Sequence, residues 1–240
     1  IYRALYLEKI FKNMPNTNIQ KNEYYKNMIS QIEDRQIDLS TKIPPKLNAE
    51  LRTYQKIGYK WLRTLEQYKM GGILADDMGL GKTIQLLAVI LSYVQKNKGN
   101  IKPSIIICPS SLALNWYNEI QKFTPTLKAL VISDDYLERK RKIEEIGKYQ
   151  VIITSYDSLK RDIDLYENYC FKYVVADEAQ YIKNNNTKNS KAIKTINAET
   201  KFALTGTPIE NSLSELWSIF DFIMPGYLYK YKKFKELYET

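Results

Sequence analysis

Residues 71–94 read GGILADDMGLGKTIQLLAVILSYV: a short apolar strand, a turn with glycines at 79 and 81, and a strongly apolar helix, with nothing between them. That order makes a grip for phosphate. Gly79 and Gly81 let the backbone curl so that successive N–H groups converge, and a helix starting near Lys82 adds the positive end of its dipole at the same place. Within the loop formed by Asp76, Asp77, Met78, Gly79, Leu80 and Gly81, Lys82 is placed to reach the β- and γ-phosphates of a nucleotide. The Thr83 hydroxyl is placed on a magnesium ion. The pattern G-x-x-x-x-G-K-[ST] is met except at its first position, which is Asp76. That first glycine eases a turn, whereas the chemistry needs Gly81, Lys82 and Thr83. A GKT triplet also occurs by chance at helix starts; the strand before it and the apolar helix after it are the context that favours a phosphate loop.

Working outward, the chain has 240 residues, 44% hydrophobic and 26% charged, enough for one sizeable core. Its longest apolar run lies within 84–94, well short of the roughly 20 residues that cross a membrane. With no leader pattern at the N-terminus, the expectation is a soluble, monomeric protein, cytoplasmic and nucleoid-associated or nuclear, with no membrane partner. Ile1 in place of methionine suggests a piece of a longer protein. There is no histidine, which removes histidine triads and histidine-ligated metals, so chemistry rests on carboxylates, lysine and magnesium. Cys108 and Cys170 make no metal spacing and read as structural. The net charge of +9 favours a polyanionic partner, although a biased base composition produces such a charge as well.

Pro44 and Pro45 divide the chain into a helical N-terminal extension of unassigned role, 1–45, and a main domain, 46–240. In the main domain a helix is expected over 51–69. Candidate strands follow at 73–75, 105–108, 129–132, 151–154, 173–176 and 202–204, with helices between them at 112–122, 136–147 and 190–196. Apolar strands separated by helix-length segments imply an α/β fold with a mostly parallel sheet, whose ligands gather at the carboxyl ends of the strands.

The chemical motifs fall at those ends. Residues 173–178, YVVADE, form an apolar strand that delivers two carboxylates, about 95 residues after the loop. Asp177 is placed to hold magnesium through its water shell, and Glu178 to orient or deprotonate the water that attacks the γ-phosphorus. Residues 202–208, FALTGTP, run a strand into hydroxyls around a glycine, which alone would be a turn. Upstream, Arg52 and Gln55 lie in LRTYQ, where an amide can both donate to and accept from an adenine edge.

Together these stretches resemble the Swi/Snf-type ATPases, the DNA-translocating branch of helicase superfamily two. LRTYQKIGYKWL (51–62) is similar to the family's adenine motif, DDMGLGKTIQ (76–85) to its phosphate loop, and IIICPSSLALNW (105–116) and VIITSYDSL (151–159) to its strand-tracking motifs. DEAQ (177–180) resembles the DEAH box, LTGTPIEN (204–211) the coupling motif, and ELWSIFDFIMPGYL (215–228) the lobe-closing helix. The resemblance covers about 47–239 and implies a RecA-like P-loop lobe that uses ATP and Mg2+. Its catalytic residues would be Lys82, Asp177 and Glu178.

The resemblance further implies that Gln180, Thr205, Gly206 and Thr207 couple the site to movement. It also implies that Pro109, Ser110, Ser111, Trp116, Thr154, Ser155 and Tyr156 lie near double-stranded DNA, bound without regard to sequence. Helix capping is an equal reading for Ser110, Ser111 and Ser155. A basic stripe of Lys183, Lys188, Lys191 and Lys194 reads more readily as a solvated loop than as a phosphate contact. Gln180 departs from the family's histidine but still hydrogen-bonds. No arginine follows Arg161, so a second RecA-like lobe carrying an arginine finger is expected as a partner from elsewhere in a longer protein. The competing class is a nucleotide- or DNA-binding module that does not hydrolyse; Glu178 speaks against it, because a scaffold has no use for a water-orienting carboxylate. TGTPIEN and MPGYL point away from restriction-type or RNA-directed relatives.

Overall fold

Strands apolar at every position need cover on both faces, and Ser104–Cys108 and Val151–Ser155 are buried along their whole length. In the computed structural model, which describes residues 20–27, 40–97, 99, 101–209 and 212–239, six strands form one sheet and every pairing is parallel. Helix α1 (Thr53–Gln67) leads into β1 (Gly72–Leu74), followed by α2 (Lys82–Lys96), β2 (Ser104–Cys108), α3 (Ala113–Phe123), β3 (Ala129–Ile132) and α4 (Tyr136–Glu144). Then come β4 (Val151–Ser155), α5 (Tyr156–Arg161), β5 (Cys170–Ala176), α6 (Lys188–Thr195), β6 (Asn197–Leu204), α7 (Leu213–Ile223) and α8 (Tyr231–Tyr238). The spatial order is β1-β6-β5-β2-β4-β3.

Period-two alternation divides the core between the two sides of the sheet. Ile106, Val175 and Phe202 pack with apolar residues of α1, α2 and α3, whereas Ile105, Val174 and Ala203 pack with those of α4, α5, α6 and α7. Helix α2 is the most enclosed, with Ile84 through Ser92 all buried. Register sets the functional edge: Leu74 pairs with Leu204, and Ala176 with Ala203, so β1, β5 and β6 end together. The Thr205 N–H donates to the Leu74 carbonyl at 3.2 Å, and the Asp177 N–H to that of Ile107 at 2.8 Å.

Strands β5 and β6 begin earlier than the apolar runs alone indicate. Polar residues in their first halves are satisfied laterally: Lys172 reaches Glu66 at 3.0 Å and Glu199 at 2.9 Å, so those positions remain in the ladder. The expected extension over 1–45 lies mostly outside the described residues. Within them, 23–27 is helical, and the Tyr24 ring meets Tyr68 edge-on at 6.5 Å. Among the described residues no helix is long and apolar enough to cross a membrane.

A buried ion pair fixes α4 to the segment after α5. Arg139 donates through Nε to Asp162 Oδ2 at 2.5 Å and through Nη2 to Oδ1 at 2.9 Å, with both side chains almost fully enclosed. Arg139→Met leaves the Asp162 carboxylate without its partner, and urea unfolding should show a loss of about 3–5 kcal/mol. A loss below about 1 kcal/mol would mean that water reaches Asp162.

Candidate nucleotide site

The loop between β1 and α2 holds its shape through two glycines and two polar fasteners. Gly79 and Gly81 have φ of 81° and 76°, in the region that glycine adopts without strain. A Cβ on Gly81 would also stand 2.5 Å from Gln55 Nε2. Gln55 donates through that nitrogen to the Leu80 carbonyl at 3.0 Å, and its Oε1 accepts from the Arg52 N–H at 2.9 Å. The Tyr54 hydroxyl donates to the same Leu80 carbonyl at 3.0 Å. On the other side Gln85 Nε2 donates to Asp76 Oδ2 at 2.8 Å, so the residue in place of the first glycine of the pattern serves as an anchor.

Helix α2 starts at Gly81 with no side-chain cap and no acidic residue in its first turn, leaving its leading N–H groups for an anion. Lys82 Nζ lies along the loop, donating to the carbonyls of Asp76 at 2.7 Å and Asp77 at 3.1 Å. A cavity of about 390 Å³ opens here, lined among others by Gly81, Lys82, Thr83, Glu119, Asp177 and Glu178.

Desolvation pushes the Asp177 carboxyl above its ordinary pKa; a hydrogen bond from Trp116 counters this, the Glu178 charge adds to it, and Lys82 pulls it down. Trp116 Nε1 donates to Asp177 Oδ2 at 2.7 Å, and the Glu178 N–H to Oδ1 at 3.0 Å. Glu178 itself sits at φ 50°, ψ 58°, a left-handed conformation that costs a non-glycine residue about 1–3 kcal/mol. Its carboxylate accepts from Gln180 Nε2 at 2.8 Å, while the Thr205 hydroxyl donates to Gln180 Oε1 at 3.3 Å and the Thr207 N–H to Thr205 Oγ1 at 3.1 Å. The pKa of Glu119, half-buried on α3, is raised by desolvation and drawn back by the nearby Thr83 hydroxyl and by Lys122.

These residues fit a magnesium nucleotide. The uncapped helix start and Lys82 suit the phosphates, and Thr83 and Asp177 share the cavity beside them. Among the described residues no group of three or more acidic or cysteine side chains forms a metal cage.

The residues grouped with DNA in the sequence divide by exposure. Ser110 and Ser111 are exposed on a 3₁₀ turn that begins after Pro109, and that turn has no side-chain cap. Ser155 caps α5, accepting from the Ser158 N–H at 3.1 Å. Thr154, Tyr156 and Trp116 turn inward: Thr154 donates to the Ile132 carbonyl at 3.1 Å and Tyr156 to the Asp177 carbonyl at 2.8 Å, with Trp116 on Asp177 as above. Of the basic stripe, Lys183 is buried against Glu215 at 3.3 Å and Lys194 pairs with Asp221 at 2.9 Å; Lys188 and Lys191 are exposed. Sequence reasoning missed Glu119 and Gln85. The signal for Gln85 was a polar residue within an otherwise apolar helix, whereas Glu119 stands among other polar residues of α3 and gave none.

Comparison with known proteins agrees with this geometry. A family profile described as the SNF2-related domain matches residues 54–240. An uncharacterised ATP-dependent helicase of Mycoplasma genitalium is 47% identical over 189 residues, 79% of this chain and 18% of the relative. TATA-binding protein-associated factor 172 of Homo sapiens is 37% identical over 253 residues, 99% of this chain and 14% of that protein. Among solved structures, the Sulfolobus solfataricus SWI2/SNF2 ATPase core in complex with double-stranded DNA superposes with a TM-score of 0.73 at 42% identity, covering 80% of this chain and 40% of that one. The fold is thus that of the RecA-like ATPase core, and the chain spans less than a fifth of these curated relatives.

Gly81→Ala should weaken ATP binding at least tenfold, from a left-handed penalty of about 1–2 kcal/mol together with the contact on Gln55. Gly147→Ala, whose new methyl meets nothing within 4 Å, is the control. Calorimetric titration of both variants checks this; equal affinities would mean that the loop rebuilds without its turn.

Proposed function

The chain belongs to the SNF2-related family, and on that premise we propose that it is the ATP-binding lobe of a DNA-dependent ATPase that translocates on double-stranded DNA without separating the strands. The observation that carries this reading is the meeting of Lys82, Thr83, Asp177 and Glu178 around one cavity at the ends of β1 and β5. Lys82 swings from the loop carbonyls to the β- and γ-phosphates, and the first N–H groups of α2 hold the phosphate oxygens. Thr83 and Asp177 would hold magnesium, which would supply charge neutralisation at the phosphates. Glu178, aimed by Gln180, orients the attacking water and takes its proton. Arg52 and Gln55 border the adenine side. A second RecA-like lobe supplies the opposite wall of the cleft and an arginine finger.

Gln180, Thr205, Gly206 and Thr207 carry the state of the γ-phosphate away from the site, along the hydrogen bonds between Glu178, Gln180 and Thr205. Pro109, Ser110 and Ser111 meet the backbone of one DNA strand; Thr154, Ser155, Tyr156 and Trp116, all buried, shape that surface from beneath. Such contacts position without reading sequence. The archaeal relative's structure, an ATPase core in complex with double-stranded DNA, supports duplex DNA as the partner.

Substitution separates the roles. In a protein carrying both lobes, Lys82→Ala should lose ATP affinity, whereas Glu178→Gln should keep magnesium-ATP binding and lose roughly 10²- to 10⁴-fold in turnover. Equal loss of binding in both variants would contradict the assignment. Binding of labelled duplex should be weak, on the order of 10⁻⁴ to 10⁻⁶ M for the lone lobe, indifferent to sequence and steeply reduced by salt. Tight binding that persists in high salt would count against backbone contacts.

A further inference from the structure

Helix α3 presents two polar side chains one turn apart to the nucleotide cavity, which Thr83 and Asp177 also line. Trp116 is 3% exposed and its indole N–H donates to Asp177 Oδ2 at 2.7 Å. Glu119, at the i+3 position and therefore on the same face, lines the cavity together with Thr83. We propose that Trp116 and Glu119 are positioning residues for magnesium, Trp116 fixing the carboxylate of Asp177 and Glu119 fixing the hydroxyl of Thr83, so that α3 sets both ligands at once. This rests on the ATPase reading above.

The two residues do different work. With Trp116 on Oδ2 and the Glu178 N–H on Oδ1, the Asp177 carboxylate is held at both oxygens, and each oxygen keeps a lone pair for water in the ion's shell. A hydroxyl has one proton and two lone pairs. As the acceptor for the Thr83 hydroxyl in the assembled site, Glu119 turns a Thr83 lone pair away from α3 and toward the cavity. Partners of this kind orient metal ligands in general, and their loss typically costs about 10- to 100-fold in metal affinity. Helix α3 is itself held firmly in place. Ile120 is fully buried on its inner face, and the Asn48 side-chain amide donates to the Lys122 carbonyl at 2.9 Å near its end. Leu114, on the opposite face, is 64% exposed beside the serine turn, so a shift of α3 at that surface would reach both magnesium ligands.

The test compares ATP affinity in magnesium and in EDTA, which separates the ion's contribution from the phosphate grip. Trp116→Phe and Glu119→Ala should each lower magnesium-dependent affinity about tenfold and leave affinity in EDTA unchanged; Glu119→Gln, which still accepts a hydrogen bond, should restore most of the loss. Tryptophan emission of the unsubstituted chain carries the same test without a variant. Emission should change on adding ATP with magnesium and not ATP with EDTA, and Trp116→Phe should abolish the change while Trp61 and Trp217 still report a folded chain. Magnesium-dependent affinity equal to the parent's in both Trp116→Phe and Glu119→Ala, or an emission change that survives Trp116→Phe, would overturn the proposal and leave the ATPase reading intact. Failure of the unsubstituted chain to bind ATP with magnesium would overturn that reading, and this proposal with it.

Discussion

Parallel pairing of β1 with β6, and of β6 with β5, forces three strand ends onto one edge of the sheet, and the chemistry depends on that register. The glycine loop leaves β1, the carboxylates leave β5 and the hydroxyl motif leaves β6. A slip of one residue in any of these strands would exchange the side chains it sends to the two packed faces, so the cores on both sides of the sheet also align the site. The apolar run of α2 is half of this arrangement. Its burial fixes the helix axis, and the axis aims an uncapped N-terminus at the place where Lys82 and Asp177 meet.

Once those ends are aligned, hydrogen bonds join them laterally. Glu178 is linked through Gln180 to Thr205 and then to the backbone of Thr207, and the Asp177 carbonyl is held by Tyr156 at the start of α5. The Tyr156 ring stacks on that of exposed Tyr181 at 5.3 Å. A carboxylate in the left-handed region is kept there by such contacts, which is how strain persists at a site. Glutamine at position 180 suits the role, since it donates from one end of its amide and accepts at the other.

The loop and the two carboxylates were legible in the sequence because their chemistry depends on residue type at close spacing and on a flanking strand, which apolar runs reveal. The six strand positions were legible for the same reason; only the polar first halves of β5 and β6 were not, since Lys172 and Glu199 are accommodated by partners distant in sequence. The bonds of Trp116 to Asp177, 61 residues away, and of Arg139 to Asp162, 23 away, could not be read from spacing. A tryptophan within a motif that resembles a strand-tracking one gives no sign of which way its ring turns; packing of α3 decides it. Lys183 and Lys194 likewise look like members of a solvated stripe until Glu215 and Asp221 approach from α7.

Central to this account is that these residues form one wall of a nucleotide cleft whose other wall, with an arginine finger worth about 10³ to 10⁵ in turnover, comes from a second lobe. Steady-state phosphate release, with and without duplex DNA, tests it on these 240 residues and on the longer protein extended through that lobe. The account predicts hardly any release from the 240 residues, with no response to DNA, and brisk DNA-stimulated release from the longer protein. Brisk DNA-stimulated turnover by the 240 residues alone would contradict it, because a group within them would then be completing the site.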